Sequence, residues 1–203
     1  MAIAHPTPHR DLPSALDLAE RIRALVEAVP LDPPTDQGRL AAVLILLYEH
    51  DGAPHLVLTK RAATLEHHPG QISLPGGRWE TADGDLGTTA LRETYEELGV
   101  PPESVRLVGR MGDELTMVSG FVVAPFVGVS PVTLRPVRSE REIARVLQIP
   151  LADLLAADDA LPASPDIVSL RYPLMGEDIW GATARILHTF SGLVRVALQD
   201  PLG

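Results

Sequence analysis

The residues of this chain best suited to chemistry lie on one short stretch, Ala90-Leu-Arg-Glu-Thr-Tyr-Glu-Glu-Leu-Gly99. On a helix of 3.6 residues per turn, Glu93, Glu96 and Glu97 share one face, while Leu91, Tyr95 and Leu98 fall on the other. The arrangement is locally unfavourable. Like charges at these spacings repel by about 0.2–0.5 kcal/mol per pair. Glu96 and Glu97 also occupy the last turn, where the helix dipole disfavours an anion by about 0.3–1 kcal/mol. Arg92, four residues before Glu96, offsets part of this, and a divalent cation would offset more. Positions that break local rules are candidate functional sites. The chain has no cysteine, so an all-carboxylate set favours Mg2+ or Mn2+ over zinc or copper. Mg2+ keeps waters and accepts phosphate oxygens, which points to a phosphorylated substrate. Taken alone, such a cluster is also the ordinary solvated face of a helix. The glycine-rich loop before it, Leu74-Pro-Gly-Gly77, tilts the reading toward a site.

Those side chains need a scaffold, and the pattern predicts one. Apolar spacing gives a helix over Leu16 to Val29, after a loose tail at 1 to 13. Leu40 to Tyr48 reads as a strand buried on both faces, turning at Asp51-Gly52 into a second strand, His55 to Lys60. The glutamate helix is expected from Leu86 to Leu98, with Gly99 as its cap and Pro101-Pro102 blocking continuation. Two strands follow, near Val105 to Arg110 and Phe121 to Val129. A short helix is then expected over Glu140 to Leu147, a loop at 156 to 165, a hairpin of Ile167 to Tyr172 with the segment before Trp180, and a closing helix from Ala182 to Ala197. Strands flanked by helices predict an α/β/α sandwich around a mixed β-sheet. Residues 1 to 38 form its N-terminal tail and helix, and 39 to 203 the domain proper.

Composition sets the outer limits. A chain of 203 residues, 45% apolar, suits one well-buried domain. Without cysteine there are no disulfides, thiolate zinc sites or thiol nucleophiles, which fits a reducing cytoplasm. A formal charge of -10 argues against a nucleic-acid partner. No stretch reaches the roughly 20 apolar residues needed to span a bilayer, and no secretory signal is evident. Oligomeric state is left open.

The glycine loop and the helix together resemble the Nudix box: Gly, five residues, Glu, seven residues, Arg-Glu, an apolar residue, any residue, Glu-Glu, any residue, Gly, apolar. Arg92 to Val100 follows its second half, with Thr94 at the apolar position. In the first half, Asp83 falls on the Glu position, and eight residues separate it from Arg92. Upstream, Leu58-Thr-Lys-Arg-Ala62, Gly70 and Leu74 to Gly77 are similar to a motif of coenzyme A pyrophosphatases, with Glu66 where a further Arg is expected. Ile179 to Thr183 resembles a stretch found late in such proteins. The resemblance implies a Nudix fold and hydrolysis of coenzyme A or its thioesters to 3′,5′-ADP and 4′-phosphopantetheine or its acyl form. The alternatives are a Nudix hydrolase of another nucleoside diphosphate derivative, such as NADH or ADP-ribose, and an inactive nucleotide-binding module.

The expected chemistry is metal-assisted attack of water on a pyrophosphate. Glu93 and Glu97, one turn apart, are expected as principal ligands, with Glu96 a third and the Gly77 carbonyl beside them. Arg92 is expected to orient the glutamates. Glu142 matches an acidic residue of the subfamily and is the candidate base. Lys60, Arg61, Gly76 and Gly77 are the candidate substrate contacts, arginine's fork suiting phosphate. His67 and His68 read as solvent groups, and Trp180 as packing.

Overall fold

The computed structural model describes residues 12–29, 39–64, 69–116, 120–131, 134, 137, 139 and 142–199. The tail at 1–11, Glu66, His67 and His68 lie outside them. The N-terminal helix α1 spans Ala15–Arg23. It is capped by the Ser14 hydroxyl and by Glu49, which accepts the Ala15 N–H at 2.5 Å. It stops short of the expected Val29 because Glu27 instead bridges to Arg110, and Gly109 leaves the space that Val26 fills.

Strands β1 (Leu40–His50) and β2 (Ala53–Arg61) pair only near their shared turn, Leu47 to His50 against Ala53 to Leu56. Beyond it they splay. The chain that follows dives into the fork: β3 (Ile72–Ser73) lies on β2, and β4 (Gly76–Arg78) lies on β1 at Ala41 to Val43. Only glycine fits at 76, where φ is 150° and a Cβ would overlap the Ala42 carbonyl.

The glutamate helix, α2, spans Leu86–Leu98, between an Asp85 N-cap that accepts the Thr88 N–H and the left-handed Gly99. Then come β5 (Arg106–Arg110), β6 (Glu114–Leu115) and β7 (Val122–Val129). β7 runs parallel to β1, while the other pairings are antiparallel, so the eight-stranded sheet is mixed. β8 (Ile143–Pro150), α3 (Leu151–Asp159), the hairpin β9 (Arg171–Leu174) with β10 (Glu177–Trp180), and α4 (Gly181–Gln199) complete the chain. Alternation along the strands sends Ile45, Leu47, Leu56 and Leu58 to a core shared with α1, α3 and α4. Ala42, Leu44, Leu46 and Val57 go to a second core under α2. This is the expected sandwich.

Beyond α1, further elements differ from expectation, among them the first hairpin strand, expected from Ile167, which starts only at Arg171. The segment through Leu147 is the edge strand β8, not a helix. Ile143 and Leu147 mimic a helical spacing, but the pairing with β2 fixes extended structure. The supposed loop at 156–165 begins only after Asp159, because α3 continues through an Ala-, Leu- and Asp-rich run.

Candidate active site

The site forms where α2 crosses the fork. The helix buries Leu86, Ala90, Thr94 and Leu98, and with them Glu97, which is only 3% exposed. Tyr95, expected on the buried face, is 54% exposed. The apolar arc is therefore rotated from the one the pattern predicts, and a carboxylate goes inside with it. Thr94 satisfies its hydroxyl within the helix, donating to the Ala90 carbonyl at 2.7 Å.

The missing side chain of Gly77 makes the room. A Cβ there would lie 2.5 Å from the Glu93 carboxylate, so this carboxylate rests directly on the β4 backbone. Glu97 takes a hydrogen bond from the Gly76 N–H. Its other oxygen, Oε2, is buried without a hydrogen-bond partner. Burial, then the neighbouring Glu93 charge, push the Glu97 carboxyl up to about 8, against the pull of Arg61. Burial also raises Glu93, although Arg92 opposes it.

Arg92 is the hub of the exposed side. It donates to Asp83 through Nε at 2.7 Å and Nη2 at 3.1 Å, and to the Arg78 carbonyl at 3.1 Å. Nη1 reaches Glu93 at 2.9 Å and Glu96 at 3.2 Å. Asp83 is itself fixed by the Glu80 N–H and the Thr89 hydroxyl. Burial alone would raise its carboxyl, but Arg92 and these donors outweigh that and hold it below the usual range. Asp83, left without a role by its shifted spacing in the sequence, is the anchor of Arg92. The signals for it were its place at the acidic position of the box's first half and its turn just before the helix.

The structure does not gather all three glutamates. Glu96 stays about half exposed on the outer side of Arg92, and among the described residues no three His, Asp or Glu side chains converge at metal-holding distance. Arg92 engages both Glu93 and Glu96, and leaves Glu97 to the Gly76 N–H. Glu142 is exposed, in the turn before β8, and close enough to raise both Glu93 and Glu97. The last carbonyls of α2 place that turn: Val137 N–H donates to Leu98 and Ser139 N–H to Glu97, while Ala62 N–H donates to the Glu142 carbonyl.

Arg61 and Lys60 part company. Strand alternation sends Arg61 toward Glu97 and Lys60 to the α4 face, where its ammonium meets Glu177 at 2.8 Å. Of the two cations expected to meet substrate, only Arg61 lies toward the glutamates, and its Nε is buried without a hydrogen-bond partner. Trp180, expected to pack, is 44% exposed. What remains suits a hard cation. All donors are oxygens, one of them is buried and unsatisfied, and a glycine backbone forms the floor. Mg2+ characteristically takes one or two carboxylates together with substrate phosphates.

Comparison with known proteins identifies the family and the fold. The NUDIX domain family matches residues 38–170. An uncharacterized Nudix hydrolase of Pectobacterium atrosepticum, NudL, is 35% identical over 87% of this chain and 94% of its own length. NudL of Enterobacter sp. is 44% identical, over 58% of this chain and 60% of its own. Among solved structures, the Nudix hydrolase RenU of M. smegmatis superposes with a TM-score of 0.53 at 20% identity, covering 81% of this chain and 89% of RenU. The NUDIX domain of Shewanella oneidensis NrtR, complexed with ADP ribose, gives 0.51 at 20% identity, covering 82% and 93%. At such identities the likeness speaks for the fold, which is the one built above from the sheet fork and its two cores. By the match across 38–170 and by its NudL relatives, the chain belongs to the NUDIX domain family.

Proposed function

We propose that this protein is a divalent-cation-dependent pyrophosphohydrolase acting on coenzyme A or its derivatives. The observation that carries the proposal is the buried Glu97 carboxylate, one oxygen unsatisfied, beside Glu93 on the Gly77 backbone. A buried charge without a partner is costly, and a hard cation shared with a diphosphate removes that cost.

Glu93 and Glu97 are the principal ligands in this reading, with the Gly77 carbonyl beside them and Glu96 on the rim. When bound, Mg2+ or Mn2+ lowers the pKa of an attached water and offsets charge on the phosphoryl oxygens. Arg92, anchored by Asp83, keeps Glu93 turned to the fork. Arg61 supplies a fork of donors to a phosphate oxygen. Glu142 accepts the proton as water adds to one phosphorus and the bridging P–O bond breaks. The products are 3′,5′-ADP and 4′-phosphopantetheine or its acyl form.

Coenzyme A is favoured by the Leu58 to Ala62 motif, which delivers Arg61 to Glu97. A second reading keeps the chemistry and changes the substrate to ADP-ribose or a dinucleotide. The ADP-ribose complex of the NrtR domain favours it. Turnover of coenzyme A, NADH and ADP-ribose with Mg2+, with the products identified, separates the two. Faster cleavage of ADP-ribose or NADH selects the second, and tight binding without turnover in either metal overturns both.

A further inference from the structure

The ladder between β2 and β8 loses register at one place. Lys60 faces Arg145, Arg61 faces Ile143, and Ala144 is the extra residue between them. Bulges of this kind re-aim side chains and recur beside active sites. This one falls between the cation that points to α4 and the cation that points to Glu97. Alternation also sets Lys60 and Arg145 side by side on the α4 face, and like charges directly opposite in an antiparallel pair repel. Unopposed, that repulsion would open the ladder at the residue preceding Arg61.

Glu177, reaching over from β10, lies between the two. Its carboxylate oxygens are 2.9 and 2.8 Å from Lys60 Nζ, and one is 3.4 Å from Arg145 Nη1. The Glu177 side chain is only 17% exposed, so salt screens these contacts less than it screens a surface pair. The main chain carries the consequence onward. Arg61 N–H donates to the Gln71 carbonyl at 3.0 Å, and Ala62 N–H to the Glu142 carbonyl at 2.8 Å. The main chain on either side of Arg61 is therefore held just past the bulge, where a loss of register would turn the Arg61 side chain.

We propose that Glu177 is a positioning residue for the phosphate side of the site: by neutralising the Lys60–Arg145 pair it holds the bulge closed, and with it Arg61 beside Glu97. This rests on the reading of Arg61 as a phosphate contact. It gives the hairpin β9–β10, remote in sequence from the carboxylates, a part in substrate affinity.

The test uses the full chain carrying Glu177→Gln, an isosteric change chosen to keep the fold, alone and combined with Arg61→Ala or with Arg145→Gln. Three quantities are read: the thermal midpoint, KM and kcat on whichever of the three substrates the wild type cleaves, and calorimetric binding of ADP in EDTA. Glu177→Gln is expected to raise KM and weaken ADP binding about tenfold, a loss of about 1.4 kcal/mol, with kcat changed much less. Added to Arg61→Ala it should do little more, because the two act on one contact. Adding Arg145→Gln removes the repulsion and should restore affinity. Losses that multiply in the Arg61 double variant, or a failure of Arg145→Gln to rescue, overturn the proposal. If Arg61→Ala alone leaves both KM and ADP binding unchanged, the phosphate-contact reading itself falls, and this one with it.

Discussion

Replacing Glu97 by glutamine should make the metal-free protein more stable while removing its activity. In the fold, burial and the Glu93 charge move the Glu97 carboxyl from 4.5 to about 8. In the unfolded chain it keeps the ordinary value. A group whose folded pKa is raised binds more protons folded than unfolded in the window between the two values, so stability falls as pH rises through it. The loss is about 1.4 kcal/mol per unit, hence about 5 kcal/mol once both values are passed. Glutamine avoids this, but its amide must still be buried where Oε2 has no partner, at a cost of about 1–3 kcal/mol. A net gain of about 2–4 kcal/mol above pH 8 remains, or roughly 4–16 °C in the thermal midpoint for a chain of this size.

Scanning calorimetry in EDTA between pH 5 and 9 reads this directly. The gain of Glu97→Gln over wild type should be small or reversed at pH 5, grow to about pH 8, and then level off. In Mg2+ the wild type should recover its midpoint through ligand binding, and the variant should not. Turnover of the variant should fall more than about a hundredfold. A variant no more stable than wild type at pH 9 in EDTA, or one whose advantage does not depend on pH, would refute the account of Glu97 as a buried carboxylate held without a counter-charge.

Gly77→Ala places a methyl group 2.5 Å from the Glu93 carboxylate. The carboxylate swings aside, so the fold should survive while kcat/KM falls about a hundredfold, a loss read by steady-state kinetics with a thermal scan as control. Asp83→Asn leaves Arg92 without its buried counter-charge and should cost about 3 kcal/mol in urea unfolding at pH 7. Because the Asp83 carboxyl is held below its usual range, that contribution is complete above the unfolded value of about 4 and lost as pH falls through the folded one. The gap between wild type and variant should therefore close in acid. Asp158, which accepts from the Tyr172 hydroxyl, His188 and Arg195 where α3, β9 and α4 meet, should lose about 2–4 kcal/mol as Asn in the same unfolding assay, with kcat unchanged.

The parts of this fold that were legible in the sequence are those whose signals are local. α2 spans the expected Leu86 to Leu98 because its C-terminal end is written in Gly99 and Pro101. The sandwich followed from apolar strands set between helices. β8 was misread because an edge strand keeps one face polar, and its extended form is imposed by β2, more than eighty residues away in sequence. The site was legible as a set of residue types and not as a geometry. Periodicity placed three glutamates on one face; it could not show that Gly77 would leave a hollow to take Glu93, or that Glu97 would turn inward while Tyr95 turned out. Asp83 escaped for a related reason. Its partner Arg92 is reached through a short turn whose path no spacing rule gives.

The supports around the glutamates share one property: none of them neutralises Glu97. Arg92 reaches Glu93 and Glu96, and is drawn away from the fork by Asp83 and the Arg78 carbonyl. Arg61 is near enough to lower the Glu97 pKa, yet among the described residues it makes no ion pair within 4 Å. Were Arg61 to close on Glu97, the two would satisfy each other and leave nothing to hold either a cation or a phosphate. Arg92 is tied to Asp83, and the ladder bulge falls between Lys60 and Arg61. On the proposed function, Arg61 would meet a diphosphate there and Glu97 its cation. The destabilisation expected of the metal-free site is thus what leaves its affinity for that ligand undiminished.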